Sequence, residues 1–289
     1  KWPFRIHATY DESISRMLNV FEEVNRELPF KGTNWFFDHC ETISDRSLDR
    51  VKALGGGIAI QNRMAFQGEY FLDRYGKEAT ERTPPIRRML ERGIPVGAGT
   101  DGTRVASYNP WPCLYWLVAG KTVGGTSLYS EANRLSREEA LRLYTQGSSW
   151  FSGESGKKGA IVIGQLADVT ALTEDYMSVG EEKIKGIESV LTIVGGRIVY
   201  GAQEFRDLGP ASLPVLPEWS PVKVYGGYGA PLDVRKAARA GIPVPQLQQT
   251  AKCHAYECLH DDDDLQMGIK SAAPRYSDFW GLGCDCFAF

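Results

Sequence analysis

The chain has 289 residues, 43% of them hydrophobic and 24% charged, with a formal net charge of −3. That composition is too apolar for intrinsic disorder, and no apolar run is long enough to cross a bilayer. The slightly acidic balance also lacks the basic footprint of a nucleic-acid binder, so neither a nucleic acid nor a membrane is an expected partner.

The length suits one large domain or two medium ones. The chain opens at Lys1 with neither an initiator Met nor a secretion signal, and such a start reads as a fragment. In chain order, Phe4 to Ala8 is β-prone. Ile14, Met17, Leu18, Phe21 and Val24 then recur at helical spacing, with Pro29 just beyond. Asn34 to Asp38 reads as a second strand, and Ile43, Leu48, Val51 and Leu54 mark a second helix. Ile58 to Ile60 form a third strand. A longer irregular loop, rich in charge and aromatics, is expected from there to Pro84 and Pro85. It is followed by a helix at Ile86, Met89 and Leu90 and a fourth strand at Ile94 to Ala98. This repeated β-α order predicts parallel strands with helices packed outside them.

Further on, an apolar helix is expected around Leu114 to Val118. Another runs from Arg137 to Thr145, with Ser136 as N-cap and Glu139 in the capping-box position. Short β-segments at Ala160 to Ile163, Val169 to Leu172, Val190 to Val194 and Arg197 to Tyr200 then predict an appended β unit. Gly195-Gly196 gives a hairpin signal between the last two. Beyond about Phe205 the chain is irregular, with one candidate helix at Leu232 to Ala240 and an acidic run from Asp261 to Asp264. The expected division is 1–150 for the α/β part, 151–205 for the β unit and 206–289 for an extension.

His7 and His39 both end predicted strands, about one β-α-β step apart, and Asp101 follows the fourth strand about two steps later. In a parallel barrel all strand C-termini open onto one face, where active sites sit. Two imidazoles and a carboxylate at such a mouth suit a divalent metal of the zinc type with an open position for water. The carboxylate can both bind the ion and take a proton. The alternative is that each histidine caps its strand through a local hydrogen bond. Trp111 and Trp116 lie in an aromatic stretch that either walls a substrate pocket beside Asp101 or packs the following helix. Tyr70 and Phe71 are candidates for the same rim. Arg63, Arg74, Arg82, Arg87, Arg88 and Arg92 make the region after the third strand basic, as a solvated face or as an attractor for an anion. Among the tail residues, Cys253, Cys258, Cys284 and Cys286 can hold a metal with His254 and His260, form disulfides or remain free thiols.

The segments RIHATYD (Arg5 to Asp11), FDHCETIS (Phe37 to Ser44) and PVGAGTDG (Pro95 to Gly102) resemble the fifth, sixth and eighth strand-end motifs of the amidohydrolase superfamily, and among its branches amidohydrolase family 3. LSREEALRLYT (Leu135 to Thr145) is similar to the helix after the last barrel strand. The two β stretches, Lys157 to Leu172 and Val190 to Tyr200, resemble that family's small β-sandwich. The resemblance covers about residues 4 to 205. It implies the second half of a TIM-type (β/α)8 barrel, followed by a β-sandwich segment and an irregular Cys-containing tail.

It further implies a hydrolase in which water on one or two divalent ions, zinc above all, attacks a carbon–nitrogen bond of a small amide-type substrate. His7, His39 and Asp101 would be ligands, and Asp101 also the general base. Asp11 would support them from behind, and Gln61 would match a substrate-side Gln. Asp38 stands where the family has Glu, Asn62 where it has Pro, and Ala8-Thr9-Tyr10 where it has small residues. The family's His-x-His pair occurs nowhere in the chain. A missing N-terminal half, or a second chain, is therefore the expected partner, since four strands leave two parallel edges open. The competing expectation is a catalytically incomplete relative that binds a metal or a partner through its Cys-rich tail.

Overall fold

The computed structural model describes residues 2–102 and 106–211. The candidate helix at Leu232 to Ala240, the acidic run and the four tail cysteines fall outside that range. Residues Lys1–Pro210 fold as one unit, and no helix among the described residues is long and apolar enough to span a membrane.

The strands β1 (Phe4–Ala8), β2 (Trp35–His39), β3 (Gly57–Gln61) and β4 (Val96–Gly99) pair in parallel in the order β1-β2-β3-β4. The helices α1 (Asp11–Glu27), α2 (Asp45–Ala53), α3 (Arg63–Glu81) and α4 (Ile86–Glu91) lie in the three connections. Spatial order thus equals chain order, as βαβ crossovers of one hand require. The register sets Ala8 beside His39 and Gln61 beside Gly99, so the C-terminal ends of the strands line one edge.

Period-2 alternation decides which side chains meet the helices. Trp35, Phe37, Ile58 and Ile60 are all fully buried on one face. Phe21 of α1 stacks on Phe37 with ring centroids 5.8 Å apart and meets Trp35 edge-on at 5.2 Å. Burial of such a side chain stabilises by about 1.5–3 kcal/mol, which makes this layer the core of the α/β part. The other face carries Arg5, Phe36, Asp38, Gly57 and Gly97 in matching register. There the short helix α7 (Ser148–Phe151) inserts two rings: Trp150 occupies the space that a Cβ on Gly57 would need, and Phe151 does the same over Gly97.

Residues 63–81, expected as an irregular loop, are helical in α3 with a break at Gly76, whose φ is 78°. Met64, Gly68 and Phe71 are buried at helical spacing, while Asp73, Arg74, Lys77 and Glu78 are exposed. α5 (Pro110–Ala119) starts where the Asn109 side chain accepts from Trp111 N. α6 (Arg137–Arg142) has the expected capping box in both directions, 3.2 Å from Glu139 N to Ser136 Oγ and 2.8 Å from Ser136 N to Glu139 Oε2. The helix continues through the expected end at Thr145 as a wider, π-type turn at Leu143–Gly147 that runs directly into α7.

The appended sheet is antiparallel, with β5 (Val169–Leu172), β6 (Ser189–Val194) and β7 (Arg197–Gly201) in that order. Gly195 and Gly196 have φ of 57° and 78°, the left-handed pair that a tight hairpin needs. Ala160 to Ile163, expected as a strand, is not one. Ile161 and Ile163 are almost fully exposed, and no strand among the described residues pairs with them.

Candidate metal-binding site

His39 closes β2 on the parity that would send its ring into the helix layer behind Trp35 and Phe37. It does not go there, because His39 and Cys40 adopt left-handed backbone, with φ of 79° and 60°. Cys40 N donates to Ala8 O at 2.9 Å and Thr42 N to Thr9 O at 3.2 Å, and these bonds hold the turn against the segment after β1. Such backbone costs on the order of 1–3 kcal/mol per residue and persists only where neighbours enforce it. The turn delivers the His39 ring to His7, with centroids 4.3 Å apart and planes at 69°. Asp101, also left-handed at φ 50°, places Oδ2 3.9 Å from His39 Nε2. The three residues picked out in the sequence are therefore neighbours at the strand mouth. His39 is buried there, and the Asp101 side chain is 40% exposed.

Burial, then the nearby charges of His39 and Arg63, hold the His7 pKa below its ordinary value. The neutral ring this favours is the form that ligates a metal. Two imidazole nitrogens and a carboxylate match the donor chemistry of a zinc-type site. Among the described residues no group of three or more His, Cys, Asp or Glu side chains encloses an ion by itself. The residues present fit part of a ligand set.

Asp11 begins α1, and its Oδ1 accepts from Ser44 N at 2.9 Å, while its own N–H donates to Thr42 Oγ1 at 3.1 Å. It ties the segment after β1 to the one after β2. Gln61 lies at the end of β3 with its Oε1 buried and without a hydrogen-bond partner. Asn62, beside it, is 1% exposed with both amide atoms in the same condition. Trp111 is 9% exposed, packs on Tyr176 at 5.8 Å and lines a recess with Leu141 and Leu172. Phe71 is buried beside Tyr75.

The six arginines divide: Arg74 and Arg82 are exposed, as a solvated face would have them. Arg63 is 4% exposed; Arg88 and Arg92 bind Asp45 and Asp49 of α2, and Arg87 binds Glu139 of α6. Arg87, Arg88 and Arg92 tie helix to helix. Burial raises the Cys113 thiol to about 12 and the Cys40 thiol well above its usual value, so both remain inert thiols. Sequence reasoning missed Glu41, which is 1% exposed with Oε1 3.5 Å from His39 Nδ1. No local signal marks it, because its burial follows from the left-handed turn at His39-Cys40.

The four-stranded parallel sheet with helices in its connections defines the class, an α/β protein. The amidohydrolase family model matches residues 1–200, and the chain belongs to that family, in its third branch. It is 25% identical to the YtcJ protein of Bacillus subtilis over 199 residues, which are 68% of this chain and 37% of that protein. It is 24% identical to the N-substituted formamide deformylase of Arthrobacter pascens, over 68% of this chain and 36% of the relative. The chain thus spans little more than a third of the length of these relatives.

Among solved structures it is similar to a metal-dependent hydrolase of Pyrococcus horikoshii, with a TM-score of 0.52, 25% identity and coverage of 62% of this chain and 35% of that one. It also shares the fold of the atrazine chlorohydrolase TrzN of Arthrobacter aurescens, solved with zinc, at a TM-score of 0.50 and 17% identity over 73% of this chain and 46% of TrzN.

Proposed function

We propose that this chain forms the second half of the catalytic barrel of a metal-dependent hydrolase acting on carbon–nitrogen, non-peptide bonds of small amide-type substrates. The observation that carries the reading is the meeting of the His7 and His39 rings with Asp101 at the C-terminal edge of the parallel sheet. Family membership and the similarity to a formamide deformylase support the bond type.

His7, His39 and Asp101 would hold one or two divalent ions, zinc by the nature of the donors. An ion there supplies Lewis-acid polarisation of the scissile carbonyl and lowers the pKa of water. Asp101, more exposed than the buried His39 it faces, would accept a proton from the attacking water and return it to the leaving nitrogen. Gln61, with an unused acceptor at the strand end, would orient the substrate N–H. Asp11 would hold the two histidine-bearing segments in register.

The parallel sheet ends in β1 and β4, whose outer edges carry no further strand among the described residues. The remaining strands and ligands would come from the rest of the parent protein or from a second chain. In that assembly, Asp101→Asn is expected to lower hydrolysis of N-substituted formamides about 10²–10⁴-fold with the fold intact. Full activity in the variant contradicts the role given to Asp101. Loss of activity on chelation and its return with zinc would support the metal assignment.

A further inference from the structure

The buried Glu41 carries a carboxylate that has no hydrogen-bond partner at either oxygen, and the Nδ1 of His39, 3.5 Å from Oε1, has none either. A carboxylate and a ring nitrogen buried in this way are costly unless they serve each other. The opposite nitrogen of the same ring, Nε2, faces Asp101 at 3.9 Å. The two nitrogens of His39 therefore address two carboxylates, one sealed behind the ring and one open at the mouth. The backbone enforces the arrangement: the left-handed pair His39-Cys40 folds the chain back so that Glu41 falls behind the ring it follows. The bonds from Cys40 N and Thr42 N clamp the turn on both sides of Glu41.

We infer that Glu41 is a positioning residue for His39: its carboxylate accepts the Nδ1–H, fixes the tautomer with a bare Nε2, and aims that lone pair at the mouth. The separation is longer than a normal N–H···O bond, and contacts of this kind tighten when the ring is engaged. A histidine that ligates through one nitrogen is oriented by the acceptor at the other. The inference rests on the reading of His39 as a ligand, and Glu41 touches no substrate in it.

The test is made on the full-length protein, metal-free, at mildly alkaline pH, by ¹⁵N NMR of labelled histidine. This chain contributes four histidines, and His39→Asn identifies the signals of that ring. Protonated Nδ1 with bare Nε2 is the expected state. The opposite tautomer in the wild-type protein overturns the inference without reference to any Glu41 variant.

Zinc affinity is then measured by competition with a chelating dye. Glu41→Leu is expected to weaken it about 10–100-fold, and Glu41→Gln, which keeps an acceptor oxygen, to restore most of the loss. Zinc affinity unchanged in His39→Asn sinks the ligand reading. Affinity lost in His39→Asn but intact in Glu41→Leu sinks this inference alone.

Discussion

Asp38 shows how one residue on the open face of the sheet depends on another. Its side chain is 7% exposed and takes a 2.8 Å hydrogen bond from Arg5 Nε, while Arg5 is itself 70% exposed and lies over the Phe36 ring at 6.0 Å. An exposed arginine usually contributes little, but this one satisfies a buried carboxylate. Arg5→Ala is expected to destabilise the chain by about 1–3 kcal/mol, because it leaves that group unpaired. Urea unfolding measures it, and a loss no larger than that of an ordinary surface substitution contradicts the account. At the same scale the reach of sequence reasoning is uneven. His7, His39 and Asp101 were legible because strand-end position is a matter of spacing. Glu41 was not, because its burial follows from a left-handed turn that no local propensity of His or Cys announces.

The elements that hold β4 in place depend on two devices, one local in sequence and one not. The capping box of α6 makes Ser136→Ala cost about 1 kcal/mol, readable as a shift in the urea midpoint. The Arg87 guanidinium, bonded to Glu139 at 2.6 Å, holds the Glu139 carboxyl below the usual range. A lowered folded pKa means the stability it adds is present above the unfolded value of about 4.3 and disappears as pH falls through the folded one. Glu139→Gln is expected to flatten that part of the acid-side loss, and an unchanged pH profile of the urea midpoint contradicts the linkage. The second device is close approach. A Cβ on Gly147 would stand 2.3 Å from Val96 O, a backbone atom that cannot step aside. Gly147→Ala is expected to cost about 1–3 kcal/mol or more, read in the same unfolding experiment. The capping box was visible in sequence as Ser136 and Glu139. The Gly147 contact was not, since it joins residues 51 positions apart.

For the whole molecule the open feature is the sheet boundary. β1 and β4 present unpaired outer edges among the described residues, with Trp2 90% exposed beside β1. Ile161 and Ile163 stand in water. Unpaired edges and exposed apolar side chains promote association. Residues 1–289 purified alone are expected to self-associate with rising concentration in sedimentation velocity, and to lose that tendency when the remaining strands are supplied. A monodisperse monomer that unfolds cooperatively would contradict the half-barrel reading.

Spacing and periodicity by themselves determined the β-α order, the parallel sheet, the hairpin at Gly195-Gly196, the capping box and the three residues at the strand mouth, because each depends on neighbours a few positions away or on the regular length of a β-α step. Tertiary structure alone decided that 63–81 is a helix, that Arg87, Arg88 and Arg92 bind other helices, that Ala160 to Ile163 is no strand, and that His39 turns toward His7 with Glu41 behind it. The physical reason is the same in each case. Burial, strand pairing and left-handed backbone are enforced by atoms distant in the chain, and their contributions outweigh the local preference of the residues concerned.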